Sequence, residues 1–188
     1  MAKKKRTSRS VERHRALDVV FEADEKGYLY EDGLLRLLAD RRVVSTAQVP
    51  IREFGTELVE AYASNLDNVD TLIEAASEDW ALSRMNVVDR SILRLAAAEM
   101  MFIGTGRALV VSEWADLARE LSTDRSVGFV MGVLNRVADI RMTETGKATQ
   151  EELPEVSTAE SDPDVAGADS ETDEVGAGAF RAPTSADK

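Results

Sequence analysis

Apolar residues over the first 142 positions recur at the spacing of an α-helix, and no segment alternates them with polar residues over the length of a strand. That pattern leaves no material for a sheet. The chain must bury helical stripes against one another, so the fold class is an all-α bundle of about seven helices joined by short loops. Ala16, Leu17, Val20 and Phe21 form the first stripe, on a helix expected from near Ser10 to Gly27, a suitable C-terminal cap. Leu34, Leu35, Leu37 and Leu38 give a second helix over 31–41. A loop over 43–49 closes at Pro50, which suits the first turn of a third helix carrying Phe54, Leu58, Val59 and Tyr62. Leu66, Val69, Leu72, Ile73 and Ala76 mark a fourth. Trp80, Leu82 and Met85 lead into residues 86–103, apolar over so much of their surface that this helix should sit centrally. Gly104 and Gly106 end it. Ser112 is the expected N-cap of a helix to Leu121, and Ser122 or Thr123 that of a last helix holding Val130, Val133, Leu134 and Val137.

Composition excludes several classes of function. The chain has no cysteine, which rules out disulfides, thiolate metal sites and a catalytic thiol. Its longest apolar run, near Leu109–Val111, is far shorter than the roughly 20 residues of a membrane span. The basic start is followed by no apolar stretch, so it does not read as a secretory signal. The expectation is a soluble, cytoplasmic protein.

Charge divides the chain into three parts. The formal net charge is −12, yet residues 143–188 alone hold 12 acids against 3 bases. That stretch is rich in Glu, Asp, Ser, Thr, Ala and Gly, and buries too little to offset the entropy of ordering. It reads as a disordered acidic tail, a solubilising extension in the simplest view or a competitor for the basic N-terminus in a sharper one. Lys3, Lys4, Lys5, Arg6, Arg9, Arg13 and Arg15 stand against Glu12 alone in the first 15 residues. Residues 1–9 therefore read as a flexible basic arm and residues 10–142 as the helical domain.

No catalytic constellation is visible. The single histidine, His14, shares a helix face with Asp18 and Glu22, but a linear set on one helix does not surround a metal, so a solvated face is the expectation. The segment Gly104-Thr105-Gly106-Arg107 lacks the ending of a phosphate loop and reads as a helix terminator. Carboxylate clusters such as Glu22/Asp24/Glu25 have no apolar pocket to raise a pKa. Neither an enzyme nor a cofactor or metal is expected. The basic arm is the one functional signal: a cationic segment running into a helix attracts phosphates and suits RNA, although charge alone does not separate RNA from DNA. Arg9 and Arg13, one turn apart, could track a phosphate backbone together.

Three segments carry a family resemblance. Residues 80–101 read WALSRMNVVDRSILRLAAAEMM, residues 112–137 read SEWADLARELSTDRSVGFVMGVLNRV, and residues 9–24 read RSVERHRALDVVFEAD. In this order and separation they resemble the transcription antitermination factor family NusB, over about residues 3–140. The resemblance implies two small packed three-helix subdomains. It implies binding of boxA-type single-stranded leader RNA of ribosomal RNA operons, together with the ribosomal protein NusE, in an RNA polymerase complex that reads through terminators. By position it places Lys3, Lys4, Lys5, Arg6, Arg9 and Arg13 on RNA, with Phe129 stacking a base and Asp124 and Arg125 lining the same path. It places Phe21 and Asp89 at or near the NusE surface. The residues alone also allow Phe129 and Phe21 to be core contacts, and Asp89 to be a favourable charge in a first helical turn. The chain departs from the family pattern at Met131, where Asn is usual, and at Gly128, Ser112 and Phe21. A homodimeric helical adaptor that binds nucleic acid loosely, or an RNA-processing module such as the domain carried by RNA methyltransferase relatives, is the competing reading.

Overall fold

The structure, a computed structural model, describes residues 7–43, 50–78 and 80–151, with side chains as far as residue 143. Over these residues the chain forms seven α-helices and no strand: α1 (Ser8–Lys26), α2 (Glu31–Val43), α3 (Glu53–Ala63), α4 (Leu66–Ala76), α5 (Val87–Ala98), α6 (Arg107–Leu121) and α7 (Asp124–Glu151). A short 3-10 turn, Leu82–Arg84, leads into α5, and a π turn, Glu99–Ile103, continues it. The helix-only architecture required by the apolar spacing is present.

The first three helices pack on one another, and α4, α6 and α7 gather around α5. Helix α5 also lies against α1 and α3, so it is the seam between the two groups. Ile92, Leu93, Leu95, Ala96, Ala97 and Ala98 are all fully buried, which is what a helix apolar nearly all round demands. Tyr62 from α3 and Trp114 from α6 fill the largest spaces on either side. Gly55 lets α3 approach α1 closely: a Cβ there would meet the Glu12 backbone oxygen at 3.0 Å and the Ile51 side chain at 2.7 Å. The buried Glu12 carboxylate then accepts the Arg52 N–H at 2.7 Å, at the N-cap of α3.

Helix ends follow local chemistry where a side chain or glycine supplies it. Thr7 Oγ1 accepts the Ser10 N–H at 3.1 Å and starts α1, two residues before the expected start at Ser10. Gly27 closes α1 at φ +70°, and the Tyr28 N–H reaches back to the Ala23 carbonyl at 2.8 Å. Gly104, at φ +78°, ends the π turn as expected.

Four expectations are corrected. Pro50 is not in the first turn of α3, which begins at Glu53 behind the Arg52 cap. Ser112 is no N-cap: α6 starts at Arg107 from Gly106, with no side-chain cap, and Ser112 lies on its exposed face. Phe21 does not join the buried stripe of α1, which consists of Ala16, Leu17, Val19, Val20 and Ala23, and is 36% exposed. Helix α7 runs to Glu151, so the first residues of the stretch read as disordered from 143 are helical. A helix already nucleated by packed turns adds one hydrogen bond per further residue, and no proline interrupts it before Pro154. The rest of that stretch, and Lys3, Lys4, Lys5 and Arg6, lie outside the described residues.

Charge pairs pin the helices at named points. Arg13 of α1 is 2% exposed and donates twice to Glu99, at 2.9 and 2.6 Å, while Glu99 is fully buried and also accepts the Trp114 indole N–H at 2.8 Å. Arg94 of α5 bridges Asp24 of α1 and Asp70 of α4, each at 2.8 Å. Glu22 of α1 accepts from Arg41 of α2 at 2.7 Å and is also paired with Lys26. The Arg41 hydrogen bond, with that from Lys26, outweighs partial burial and lowers the Glu22 pKa to about 2.

Replacing Glu99 with Ala removes both close hydrogen bonds of the buried Arg13 guanidinium and leaves it only the longer contact with Glu113 at 3.4 Å among the described pairs, and urea denaturation should register a loss of about 3–5 kcal/mol. The Glu22 interaction acts on α1 and α2 with a defined pH dependence. The folded pKa lies below the ordinary carboxylate value, so its stabilisation is present above that value and is lost as pH falls toward 2. The stability gap between the wild-type chain and Glu22→Gln should therefore be open at pH 7 and close between about pH 4.5 and 2.

Candidate nucleic-acid interface

The start of α5 and the start of α7 meet around a pocket of about 270 Å³, lined by Trp80, Met85, Asn86, Asp89, Arg125, Ser126 and Phe129. Both helix starts are set by short polar side chains. Asn86 Oδ1 accepts the Val88 N–H at 2.9 Å, and Thr123 receives the Ser126 N–H on its carbonyl at 2.9 Å and its hydroxyl at 3.3 Å. The positive ends of two helix dipoles thus lie beside the same pocket, an arrangement that favours anions.

Its polar wall is a hydroxyl relay ending on a carboxylate. Ser126 Oγ donates to Asp89 Oδ2 at 2.7 Å, and Ser122 Oγ donates to Ser126 Oγ at 3.0 Å. Asp89 is 6% exposed, and its other oxygen, Oδ1, is buried without a hydrogen-bond partner among the described residues. The aromatic wall is Trp80 against half-buried Phe129, their ring centroids 6.4 Å apart and their planes tilted by 56°. Trp80 is 45% exposed, and the Arg84 guanidinium lies 5.0 Å above its ring. Trp80 is anchored by the Ser77 hydroxyl, which donates to its carbonyl at 2.8 Å, just after Glu78 adopts a left-handed backbone at φ +44°. Glu78 in turn pairs with Arg136 of α7 at 2.9 Å.

The pocket thus brings together Phe129, Arg125 and Asp89. Arg125 is exposed at its rim, and Phe129 is both packed on the core and open on one side, so its two readings describe the same residue. Asp124 is exposed in the first turn of α7 and does not line the pocket; a carboxylate there favours the helix dipole. Asp89 does lie in the first turn of α5, where its charge favours the helix dipole, and Ser126 ties it inward. Phe21 stands exposed on α1 and does not line this pocket.

Arg13 is the clearest correction. Its guanidinium is consumed by Glu99 inside the protein and cannot reach a phosphate. Arg9, one turn earlier, is exposed and lies 4.9 Å above the Phe54 ring. Met131 and Ser112 belong to a different groove, between α6 and α7, with Arg107, Ala115, Arg119 and Asn135. The change at Met131 therefore does not alter the Phe129 pocket. His14, Asp18 and Glu22 do not assemble a site: Asp18 pairs with Arg15 at 2.8 Å and Glu22 with Arg41. Among the described residues no group of three His, Cys, Asp or Glu is placed to hold a metal, and no helix is long and apolar enough to cross a membrane.

The family model described as the NusB family matches residues 10–139, from the first turn of α1 into the packed part of α7. The chain belongs to the NusB family. It is similar to the transcription antitermination protein NusB of Streptomyces griseus, at 44% identity over 138 residues, 71% of this chain and 94% of the relative. The NusB of Streptomyces coelicolor is 41% identical over the same shares. Among solved structures, T. maritima NusB superposes with a TM-score of 0.56 at 26% identity, covering 72% of this chain and 93% of that one. A structure of antitermination factors NusB and NusE in complex with double-stranded RNA superposes at 0.57 and 22% identity, over 70% and 96%, and supports the NusB fold. As a NusB-family member this chain is a transcription antitermination factor.

Trp80, Arg84, Asn86 and Ser126 escaped the sequence reading as site residues. An aromatic between two helices, followed by an arginine four residues on, is the one local signal for Trp80 and Arg84.

Among the described residues, Ser126 is the side chain that satisfies the buried Asp89 carboxylate. Ser126→Ala should therefore lower stability by about 1–3 kcal/mol in thermal or urea unfolding, whereas Asp124→Ala, at an exposed position, should cost about 1 kcal/mol or less.

Proposed function

We propose that this chain binds boxA-type single-stranded leader RNA of ribosomal RNA operons together with NusE, within the RNA polymerase antitermination complex. The observation that carries the reading is the pocket where α5 and α7 begin: two aromatic faces, two exposed arginines and two helix starts on a NusB-family fold. Phosphates are drawn by Arg84 and Arg125, and an unpaired base stacks on the open face of Phe129 or Trp80. Arg9, in the first turn of α1, and the basic residues Lys3, Lys4, Lys5 and Arg6 ahead of it in sequence add counter-charge. A NusB of the same fold is seen in complex with NusE and double-stranded RNA, which supports NusE and RNA as partner classes. Phe21, an exposed apolar ring on α1, is the position proposed to face NusE.

The reading is tested by comparing boxA-like and scrambled single-stranded RNA, with and without NusE, across a salt series. The boxA sequence should be preferred, NusE should raise that preference, and Phe21→Ala should shrink the gain that NusE adds. Deleting residues 2–9 removes five positive charges. The plot of log affinity against log salt should then become shallower by up to about 3–4 units, at roughly 0.7 per phosphate contact. Equal affinity for both sequences at every salt would favour a loosely binding helical adaptor instead.

A further inference from the structure

We infer that the Arg84 guanidinium, laid on the Trp80 ring, is a stacking surface for an unpaired base and not a counter-charge alone. The inference rests on the RNA-binding reading and adds to it a second base contact, beside the aromatic face.

Trp80 lines the pocket where α5 and α7 begin, and the Arg84 guanidinium lies 5.0 Å above its ring. Both residues belong to an anchored stretch of backbone. Ser77, itself buried, donates its hydroxyl to the Trp80 carbonyl at 2.8 Å. The 3-10 turn that carries Arg84 is held by buried Leu82 on one side and buried Met85 on the other, and the Leu82 N–H reaches Glu74 Oε1 at 3.3 Å. Cation and ring are thus placed together before any ligand arrives, which lowers the ordering cost of binding. A base does not fit between them: contact with both would need a separation of about 7 Å, two base-stacking rises of roughly 3.4 Å. Phe129 offers no second parallel slab either, because its plane is tilted by 56° to that of Trp80. The surface left is the side of the guanidinium turned away from the ring, and Arg84 is exposed. Its neighbours Arg90 and Arg94 are consumed by Asp24 and Asp70, whereas among the described residues Arg84 is held by the ring and not by a carboxylate. A guanidinium is planar and weakly hydrated, so it stacks on a base while its in-plane N–H groups remain available to a phosphate. An ammonium carries the same charge and has no plane to offer.

The test uses the full chain and a fluorescent boxA-like single-stranded oligoribonucleotide of about twelve nucleotides, across a salt series. Thermal unfolding of each variant should stay close to that of the wild type, since both side chains are exposed. Arg84→Lys keeps the charge and loses the plane. Its affinity should fall about fivefold or more, while the slope of log affinity against log salt stays that of the wild type. Arg84→Ala should lose at least as much and also flatten that slope by about 0.7. In a Trp80→Ala background the support is gone, and Arg84→Lys should then cost less than about twofold. If Arg84→Lys binds RNA as tightly as the wild type, Arg84 is a counter-charge only and the inference is overturned. A loss seen only when NusE is present assigns Arg84 to a carboxylate of that partner and overturns it as well. Both results leave the RNA-binding reading standing. Failure of the wild-type chain to bind boxA-like or scrambled RNA, with or without NusE, would overturn both.

Discussion

A single buried carboxylate, Glu99, holds the two halves of this bundle in register. It sits where α5 gives way to the π turn, fully removed from water, and takes a guanidinium from α1 and an indole N–H from α6. Ion pairs at that depth seldom add stability over an apolar replacement, because desolvating both charges offsets most of their attraction. What this one supplies is direction. Arg13 must point into the seam, Trp114 must turn its nitrogen toward the same carboxylate, and α1, α5 and α6 then have one arrangement that satisfies all three. Glu99 opens the π turn directly after α5, and Gly104 ends that turn after Ile103.

The pocket follows from that frame. With α5 fixed at its C-terminal end, its N-terminal end reaches the start of α7, and the relay from Ser122 through Ser126 to Asp89 joins the two. Aromatic and cationic groups then come from three places in the chain: the turn after α4, the 3-10 turn and the first turns of α7. None of these segments forms a site alone. Under the proposed reading, Arg84 and Arg125 attract a strand and an aromatic face stacks one of its bases.

Much of this was legible in the sequence, and the limits have a physical origin. Helix periodicity is local, so the seven helices and the centrality of α5 could be read directly, as could the Gly27 and Gly104 terminations. The start of α6 was missed because nothing caps it: Gly106 offers no side chain, and Ser112 imitates a cap from inside the helix. Phe21 was grouped with the α1 stripe because a ring at the edge of an apolar arc looks the same in sequence whether it turns in or out. Arg13 misled for a different reason. It stands in sequence among the cations Arg9 and Arg15, but the residue that captures it lies 86 positions away. The same distance problem hid the pocket, whose Asp89 and Ser126 are 37 positions apart. The resemblance named Phe129, Arg125 and Asp89 separately; only their packing shows that they share one cavity.

The length of α7 has an electrical consequence. Phe129 lies near its beginning and Glu151 ends it, and at 1.5 Å per residue the helix separates them by about 33 Å. A Debye length under physiological conditions is about 8 Å, so a charge fixed at the far end of this rod is screened several times over before it reaches the pocket. Within the helical unit, the two ends of α7 are therefore electrically independent of one another.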